Sequence, residues 1–499
     1  MTGAIVDTRS GKVQGLERNG IHVFRGIPYA APPVGGRRWK PPQREDAWDD
    51  VRDATKFSAQ SAQGLFMLDQ MLGGEERAKS EDSLYLNVFT PGLDDARRPV
   101  MVWIHGGAFM FGEGATPWYD GTKFATRGDV VLVSLNYRLG SFGFLHLADL
   151  FGDDVAGSGN VGLLDQVAAL EWVRDNIEAF GGDPNRVTIF GESAGAGSIG
   201  TLLGMPAARG LFSAAIPQSG AASWFATREH ATEIASVIVE QLGVKPGDLD
   251  ALYAKSTDEI ITAQAAVGLE TDANGLPFQP VVDGTVLPRP ALAAIRDGSA
   301  AGVRLLIGTN KNEFTLFSVL DPSLASLDEA GIRARVRTYY GEDGVDEFLA
   351  TYRRILPGST LQDQWNAMAT DALFRVPAIQ LAEAQLPHAP VWSYFFTWES
   401  PAFGGLLKST HALEIPFVFD TLDQPGSDLF TGDGPERAAI ASRMHDAWIA
   451  FARDGAPGHA AIPEWPQYDT TRRATMRIDE TWEALDDPGA ETRRLWDNH

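Results

Sequence analysis

Cysteine is absent from the 499 residues of this chain. That removes any disulfide framework, any thiolate metal site and any cysteine nucleophile. Positive charge is scarce as well: 42 Lys and Arg stand against 66 Asp and Glu, a formal net charge of −24. Such a surface repels phosphate backbones and anionic bilayers, so neither nucleic acid nor a membrane is an expected partner. It leans weakly toward neutral or cationic substrates. No stretch approaches the roughly 20 apolar residues that a bilayer span needs. The opening Met1-Thr2-Gly3-Ala4-Ile5-Val6 lacks the basic-then-apolar order of a signal peptide, so the expected location is cytoplasmic. Internal repeats, low-complexity tracts and linkers are missing too. Length alone would allow about three domains, but without a linker the expectation is one domain over residues 1–499.

What is present is organised around Val187-Thr188-Ile189-Phe190-Gly191-Glu192-Ser193-Ala194-Gly195. Four residues of strand type run into G-x-S-x-G, and small residues then open a helix. A serine hydroxyl is a weak nucleophile at neutral pH and must be held exposed beside a base and oxyanion donors. A turn tight enough to do so strains the serine backbone, and side chains at Gly191 and Gly195 would collide with the flanking elements. Among 52 glycines the motif alone is weak, since a serine can simply cap a helix there. The strand before and the helix after favour the nucleophile.

Around it, Val100–Ile104 is a continuous apolar run of the kind expected in a sheet buried on both faces, Val130–Leu135 is a further such strand, and Arg304–Thr309 and Val391–Thr397 also read as strands. Residues 1 to about 30 alternate as short antiparallel strands. Leu84–Phe89 and Thr475–Ile478 are further strands, and Ala214–Gln218 is another despite Pro217. Helical periodicity covers Leu163–Phe180 and Ala438–Phe451. Residues 56–80 read as a loop or short helix with an apolar patch at Phe66–Leu68 and Met71-Leu72. Alternating strands and helices predict an α/β fold with a large, mostly parallel central sheet covered on both faces. Helical insertions, roughly 228–300 and 320–385, are expected to form a cap.

In such sheets ligands sit beyond the carboxyl ends of the strands, and the chain order is Ser, then acid, then His. Glu313 lies just past the strand ending at Thr309. Of the nine histidines, five follow it. His388 is in a proline-bracketed turn, His445 on a helix, His459 in a Pro/Gly loop, and His499 ends the chain. His411, in a loop after the strand at 391–397, is the base candidate by elimination. His105-Gly106-Gly107-Ala108 follows a buried strand and has the form of an oxyanion loop.

With those residues the chain resembles the type-B carboxylesterases, the cholinesterase-like branch of the α/β-hydrolases, and most of all the bacterial para-nitrobenzyl esterases. The likeness runs from Phe24–Gly35 through Glu81–Val88, Val102–Phe109, Asn136–Arg138, Asn160–Gln166, Phe180–Gly197, Gln218–Gly220 and Gly308–Glu313 to His411–Phe419. It implies the α/β-hydrolase fold and a serine carboxylic-ester hydrolase working through an acyl-enzyme on small to medium, uncharged esters, with water as second substrate and no cofactor or metal. Ser193 would be the nucleophile, His411 the base and acid, and Glu313 the carboxylate behind it, with Asp283 or Asp420 as alternatives. Oxyanion donors would be the N–H groups of Gly107, Ala108 and Ala194. The resemblance also implies ion pairs Arg38–Glu81 and Arg138–Asp165 and buried supporting roles for Glu192 and Ser219. Trp224, Phe314, Leu316 and Phe317 are candidates for the apolar pocket, with core packing weighed equally for each. Carbamate or amide hydrolysis on the same triad is the alternative activity, and a non-catalytic adhesion or scaffold role is a third. Two departures stand out. Ser61 and Ser83 occupy positions where the family usually has cysteines, and Phe314 follows the acid where it usually has glycine. Between residues 61 and 83 no tryptophan loop for choline recognition is found.

Overall fold

In the computed structural model the described residues are 3–65, 77–267, 276–342 and 344–497. The expected apolar patch at Phe66–Leu68 and Met71-Leu72 lies outside them. Eleven strands form the main sheet: β1 (Leu16–Arg18), β2 (Ile21–Pro28), β3 (Tyr85–Thr90), β4 (Arg98–Ile104), β5 (Val131–Leu135), β6 (Gly182–Glu192), β7 (Ala214–Gln218), β8 (Arg304–Asn310), β9 (Val391–Phe396), β10 (Thr475–Ile478) and β11 (Glu483–Leu485). In space they run β11-β10-β9-β8-β7-β6-β4-β5-β3-β2-β1. Strands β4 to β10 are mutually parallel. β1 to β3 close one edge antiparallel, and β11 closes the other.

The apolar runs are central because helices cover both faces. Successive residues point to opposite sides of a strand, and the two cores divide accordingly. Val100, Val102 and Ile104 of β4 join one cluster with Leu163, Leu170 and Val173 of helix α1 (Val161–Asn176) and Ile199 and Leu202 of α2 (Ala194–Gly204). Met101 and Trp103 join the other, with Ile440, Met444 and Trp448 of a late helix that spans Arg437–Asp454. The helix predicted over Leu163–Phe180 is α-helical only to Asn176, and its last turn, Ile177–Phe180, tightens to 3₁₀ before Gly181 at φ 78°.

Pro217 does sit in a central strand, against the usual confinement of proline to edges. The ladder accommodates it: β7 is in register with β8 at Ala214, Ala215 and Gln218, and the pairing skips Ile216 and Pro217. β7 therefore keeps its place with a local gap where the N–H is missing.

Residues 228–300 include α3 (Arg228–Gln241), and the chain after β8 builds α4 (Thr315–Leu320), α5 (Glu329–Tyr340), α6 (Val345–Ile355), α7 (Leu361–Thr370) and α8 (Val376–Gln385). The late helix over Arg437–Asp454 is α9, and the C-terminal helix over Ala490–Asp497 is α10. α5, α6 and α7 bury Ile332, Val336, Phe348, Tyr352, Trp365 and Met368 against one another and against Leu495 of α10. This third cluster is separate from the two cores of the sheet. Among the described residues no helix is long and apolar enough to cross a membrane.

Candidate active site

The turn from β6 into α2 puts Ser193 at φ 56°, ψ −124°, a conformation that costs an L-residue energy and persists only where surroundings enforce it. The enforcement is visible on either side. A Cβ on Gly195 would lie 2.0 Å from the carbonyl oxygen of Ile104, and one on Gly191 would lie 2.4 Å from the same atom. Both glycines are thus demanded by close packing of the elbow on β4. Ser193 remains partly exposed, and its backbone N–H is tied to the Gln218 carbonyl at 3.0 Å.

The His105–Phe109 loop leans on this elbow. A Cβ on Gly106 would touch Glu192 and the Ser193 Cβ at 2.8–3.0 Å. Gly107, Ala108 and Phe109 all have positive φ (109°, 54° and 59°), an unusual run for two non-glycine residues. Among the described residues no acceptor meets the backbone N–H of Gly107, Ala108 or Ala194. Three unspent donors thus flank the serine, one of them on the first residue of a helix, where the dipole favours an anion. His105 itself is buried and stacked on Tyr137 at 4.5 Å. Burial pushes its pKa down to about 4, so it is neutral at physiological pH.

Glu313 and His411, 98 residues apart, meet at the carboxyl end of the sheet. His411 Nδ1 lies 2.7 Å from Glu313 Oε2, and both side chains are buried. The other Glu313 oxygen accepts the Asn310 N–H at 2.7 Å. The alternatives are engaged elsewhere: Asp283 accepts from Asn160 and two backbone N–H groups, and Asp420 pairs with Arg127. His388, His445 and His459 all spend a ring nitrogen on a backbone carbonyl. Nε2 of His411 lies 3.1 Å from Glu192 Oε1 but out of line for a hydrogen bond. The Ser193 hydroxyl makes no hydrogen bond among the described residues. Among the described residues the functional atoms of the serine and the histidine are thus both unspent on other protein groups.

Electrostatics here is dominated by three buried carboxylates. Burial raises Glu192, with Glu414 and Glu313 adding to the rise. For His411, burial lowers the pKa, but Glu192 and Glu313 outweigh it and the net shift is upward. Glu192 and His411 therefore titrate as a pair, each above its ordinary value. Glu414 is also raised by burial, and it accepts from Asn310 Nδ2 (2.6 Å) and Gln218 Nε2 (3.1 Å). Sequence reasoning missed Glu414 and Asn310 as members of this network. Their signal was a polar residue within an apolar run beside a triad candidate.

Of the pocket candidates, Phe317 is 37% exposed and its ring lies 5.3 Å from His411. Trp224 faces Phe374 at 5.7 Å, and Phe374 lies 4.9 Å from His411. Trp224 also abuts the first turn of α2 at Gly197. Phe314 stands one shell away, packed on Phe317 and Trp365. Leu316 is buried in the core cluster with Trp398 and Phe417. Phe374 was not found in the sequence, and nothing local marks it.

The implied ion pairs are both present and buried: Arg38 forks onto Glu81 at 2.5 and 2.7 Å, and Arg138 onto Asp165 at 2.7 and 2.8 Å. Ser61 Oγ donates to the Tyr137 carbonyl at 2.7 Å and lies 3.0 Å from Ser83 Oγ, so two hydroxyls sit together in place of a sulfur pair.

A strained serine elbow, a neighbouring loop with unspent backbone N–H groups and a buried His–Glu pair at the mouth of a mostly parallel sheet define a serine hydrolase of the α/β-hydrolase fold. The carboxylesterase family profile matches residues 2–496, and the chain belongs to that family. It is 42% identical to the para-nitrobenzyl esterase of Bacillus subtilis (strain 168) over 99% of this chain and 98% of that one. It is 35% identical to the phenmedipham hydrolase of Pseudarthrobacter oxydans, over 99% and 97%. Among solved structures, the Geobacillus stearothermophilus carboxylesterase EST55 superposes with a TM-score of 0.90 at 44% identity, covering 99% of both chains. The protein is a serine ester hydrolase.

Proposed function

We propose that Ser193, His411 and Glu313 carry out this hydrolysis, with Gly107, Ala108 and Ala194 as oxyanion donors. Ser193 attacks the ester carbonyl as His411 Nε2 takes its proton. The tetrahedral oxyanion is held by the three N–H groups, and His411 then protonates the departing alcohol. Water repeats the sequence on the acyl-enzyme. Glu313 fixes the imidazole tautomer through Nδ1. The observation that carries the reading is the buried 2.7 Å contact between His411 Nδ1 and Glu313 beside the strained Ser193 elbow.

The substrates are small to medium, uncharged esters, because the wall beside His411 is aromatic: Trp224, Phe317 and Phe374. Carbamates or amides enter the same acyl chemistry as a second class, and one relative bears the name phenmedipham hydrolase. The segments 228–300 and 320–385 act as a cap within a single domain over 1–499, a reading supported by the separate apolar cluster of α5 to α7. Absence of cysteine, with Ser61 and Ser83 where the family usually has a cysteine pair, favours a reducing, cytoplasmic location.

Ser193→Ala provides the test. Turnover of a nitrophenyl ester should fall by a factor on the order of 10⁶, and an organophosphate should label the wild type at Ser193 alone. Retained turnover in Ser193→Ala would discard the assignment. Matched ester, carbamate and anilide substrates separate the activities.

A further inference from the structure

α7 and α8 are joined by a single π-helical turn, Asp371–Arg375. Pro377 accounts for its position. Proline has no N–H and its ring collides with the carbonyl four residues back, so an unbroken α-helix cannot run through that point. The turn bears groups with two separate attachments. Phe374, 3% exposed, lies against His411 at 4.9 Å and against Trp224 at 5.7 Å. Asp371, 6% exposed, belongs to a different network. Its Oδ2 accepts the Tyr352 hydroxyl at 2.6 Å, and that hydroxyl in turn accepts Trp496 Nε1 at 2.9 Å. Trp496 lies on α10. Arg375 of the same turn donates to the Pro488 carbonyl just ahead of α10 and covers the Phe395 ring at 4.2 Å.

We propose that Asp371 is a positioning residue of the hydrolytic reaction, locking the π-helical turn so that Phe374 stays packed on the His411 imidazole, with α10 as the other half of the lock. The inference rests on His411 being the base. A π-helical turn is an inserted, less favourable geometry, so it needs partners on its outer side. A buried carboxylate with a tyrosine donor supplies one, and the Arg375–Pro488 bond supplies another. Phe374 in place excludes water from one side of His411 and narrows the orientations the ring can take. Charged and titratable groups that face these residues are Arg375 and Tyr352 at Asp371, and Glu192, Glu313 and Glu414 at His411.

Burial lowers the His411 pKa, but Glu192 and Glu313 together outweigh it. Releasing Phe374 admits water that relieves the burial and screens those charges, so the pKa falls back toward the ordinary imidazole value. The acid limb of the kcat profile then moves to lower pH, and kcat at its plateau falls because the imidazole is less well aimed.

The experiment uses the full chain, a nitrophenyl ester, and the variants Asp371→Asn, Phe374→Leu and their double, with Tyr352→Phe as a milder substitute for the first. Asp371→Asn should lower kcat roughly tenfold and displace the acid limb to lower pH. In the Phe374→Leu background the same change should have almost no further effect, because Asp371 acts through that ring. Independent, multiplying effects of the two substitutions would overturn the proposal. So would a drop in Tm with an unmoved acid limb. If Asp371→Asn does not fold, Tyr352→Phe, which removes one hydroxyl and preserves the packing, takes its place in the cycle: non-additivity with Phe374→Leu supports the lock, and multiplying effects overturn it. Failure here would leave organophosphate labelling at Ser193 and the loss of turnover in Ser193→Ala intact, whereas failure of the triad assignment would remove both.

Discussion

The two halves of the active site are built in opposite ways. On the nucleophile side, Ser193 and its proposed oxyanion donors come from segments with small side chains, packed so tightly that a methyl group at Gly195 would overlap a β4 carbonyl. On the acid–base side, Glu313 and His411 come from loops 98 residues apart, walled by the large rings of Phe317 and Phe374. Backbone geometry sets the first half, and side-chain packing with charge sets the second. Substitutions around the reacting groups should therefore fail differently: at the glycines that frame the nucleophile through the fold, on the acid–base side through rate and pH dependence.

The largest effect expected on the acid–base side is for Glu313→Gln. The amide cannot hold the required imidazole tautomer, and kcat should drop by about 10⁴, with far-UV circular dichroism unchanged. Near-normal activity would mean that another carboxylate orients His411. The nucleophile side should respond through stability: Gly195→Ala places a Cβ 2.0 Å from the Ile104 oxygen. A loss of more than about 4 kcal/mol, or no folded protein, is expected in denaturant unfolding. A well-folded, active Gly195→Ala enzyme would erase the contrast between the halves.

Glu192 lies on the border between them, beside Ser193 in sequence and beside His411 in space. Its charge raises the His411 pKa, and the base works only when unprotonated, so a raised pKa confines activity to higher pH. Glu192→Gln removes that charge and should move the acid limb of kcat/KM to lower pH. An unmoved limb would show that Glu192 is already neutral when His411 titrates. The smallest effect is reserved for Phe314→Gly. Phe314 touches Phe317 and Trp365, and no ring contact joins it to His411. The change should broaden acyl tolerance by loosening Phe317, with kcat on a small acetyl ester within a few-fold. An identical acyl profile would remove Phe314 from any part in specificity.

Much of this site was legible because chemistry imposes local patterns. Gly191 and Gly195 announce a tight turn, and His105-Gly106-Gly107 announces an exposed backbone. The filter of chain order and strand ends was enough to single out Glu313 and His411. The central strands could be read for a similar reason: burial on both faces leaves unbroken apolar runs. Pro217 shows the limit of such reading, since the sheet accommodates it by a gap in the ladder that no residue nearby predicts. Phe374 marks a second limit. A phenylalanine within a helical stretch looks like any core residue.

The sequence by itself thus determined the fold class and pointed to the elbow, the His105–Phe109 loop and the proposed acid and base, because each is written in residues adjacent in the chain or ordered along it. Tertiary structure alone decided which carboxylates surround His411, that Glu414 and Asn310 brace the site from beneath, and that Leu316 packs in the core while Phe374 covers the imidazole. Those outcomes depend on distances between residues far apart in the chain. The energies involved, burial of charge above all, exist only once the chain has closed around them.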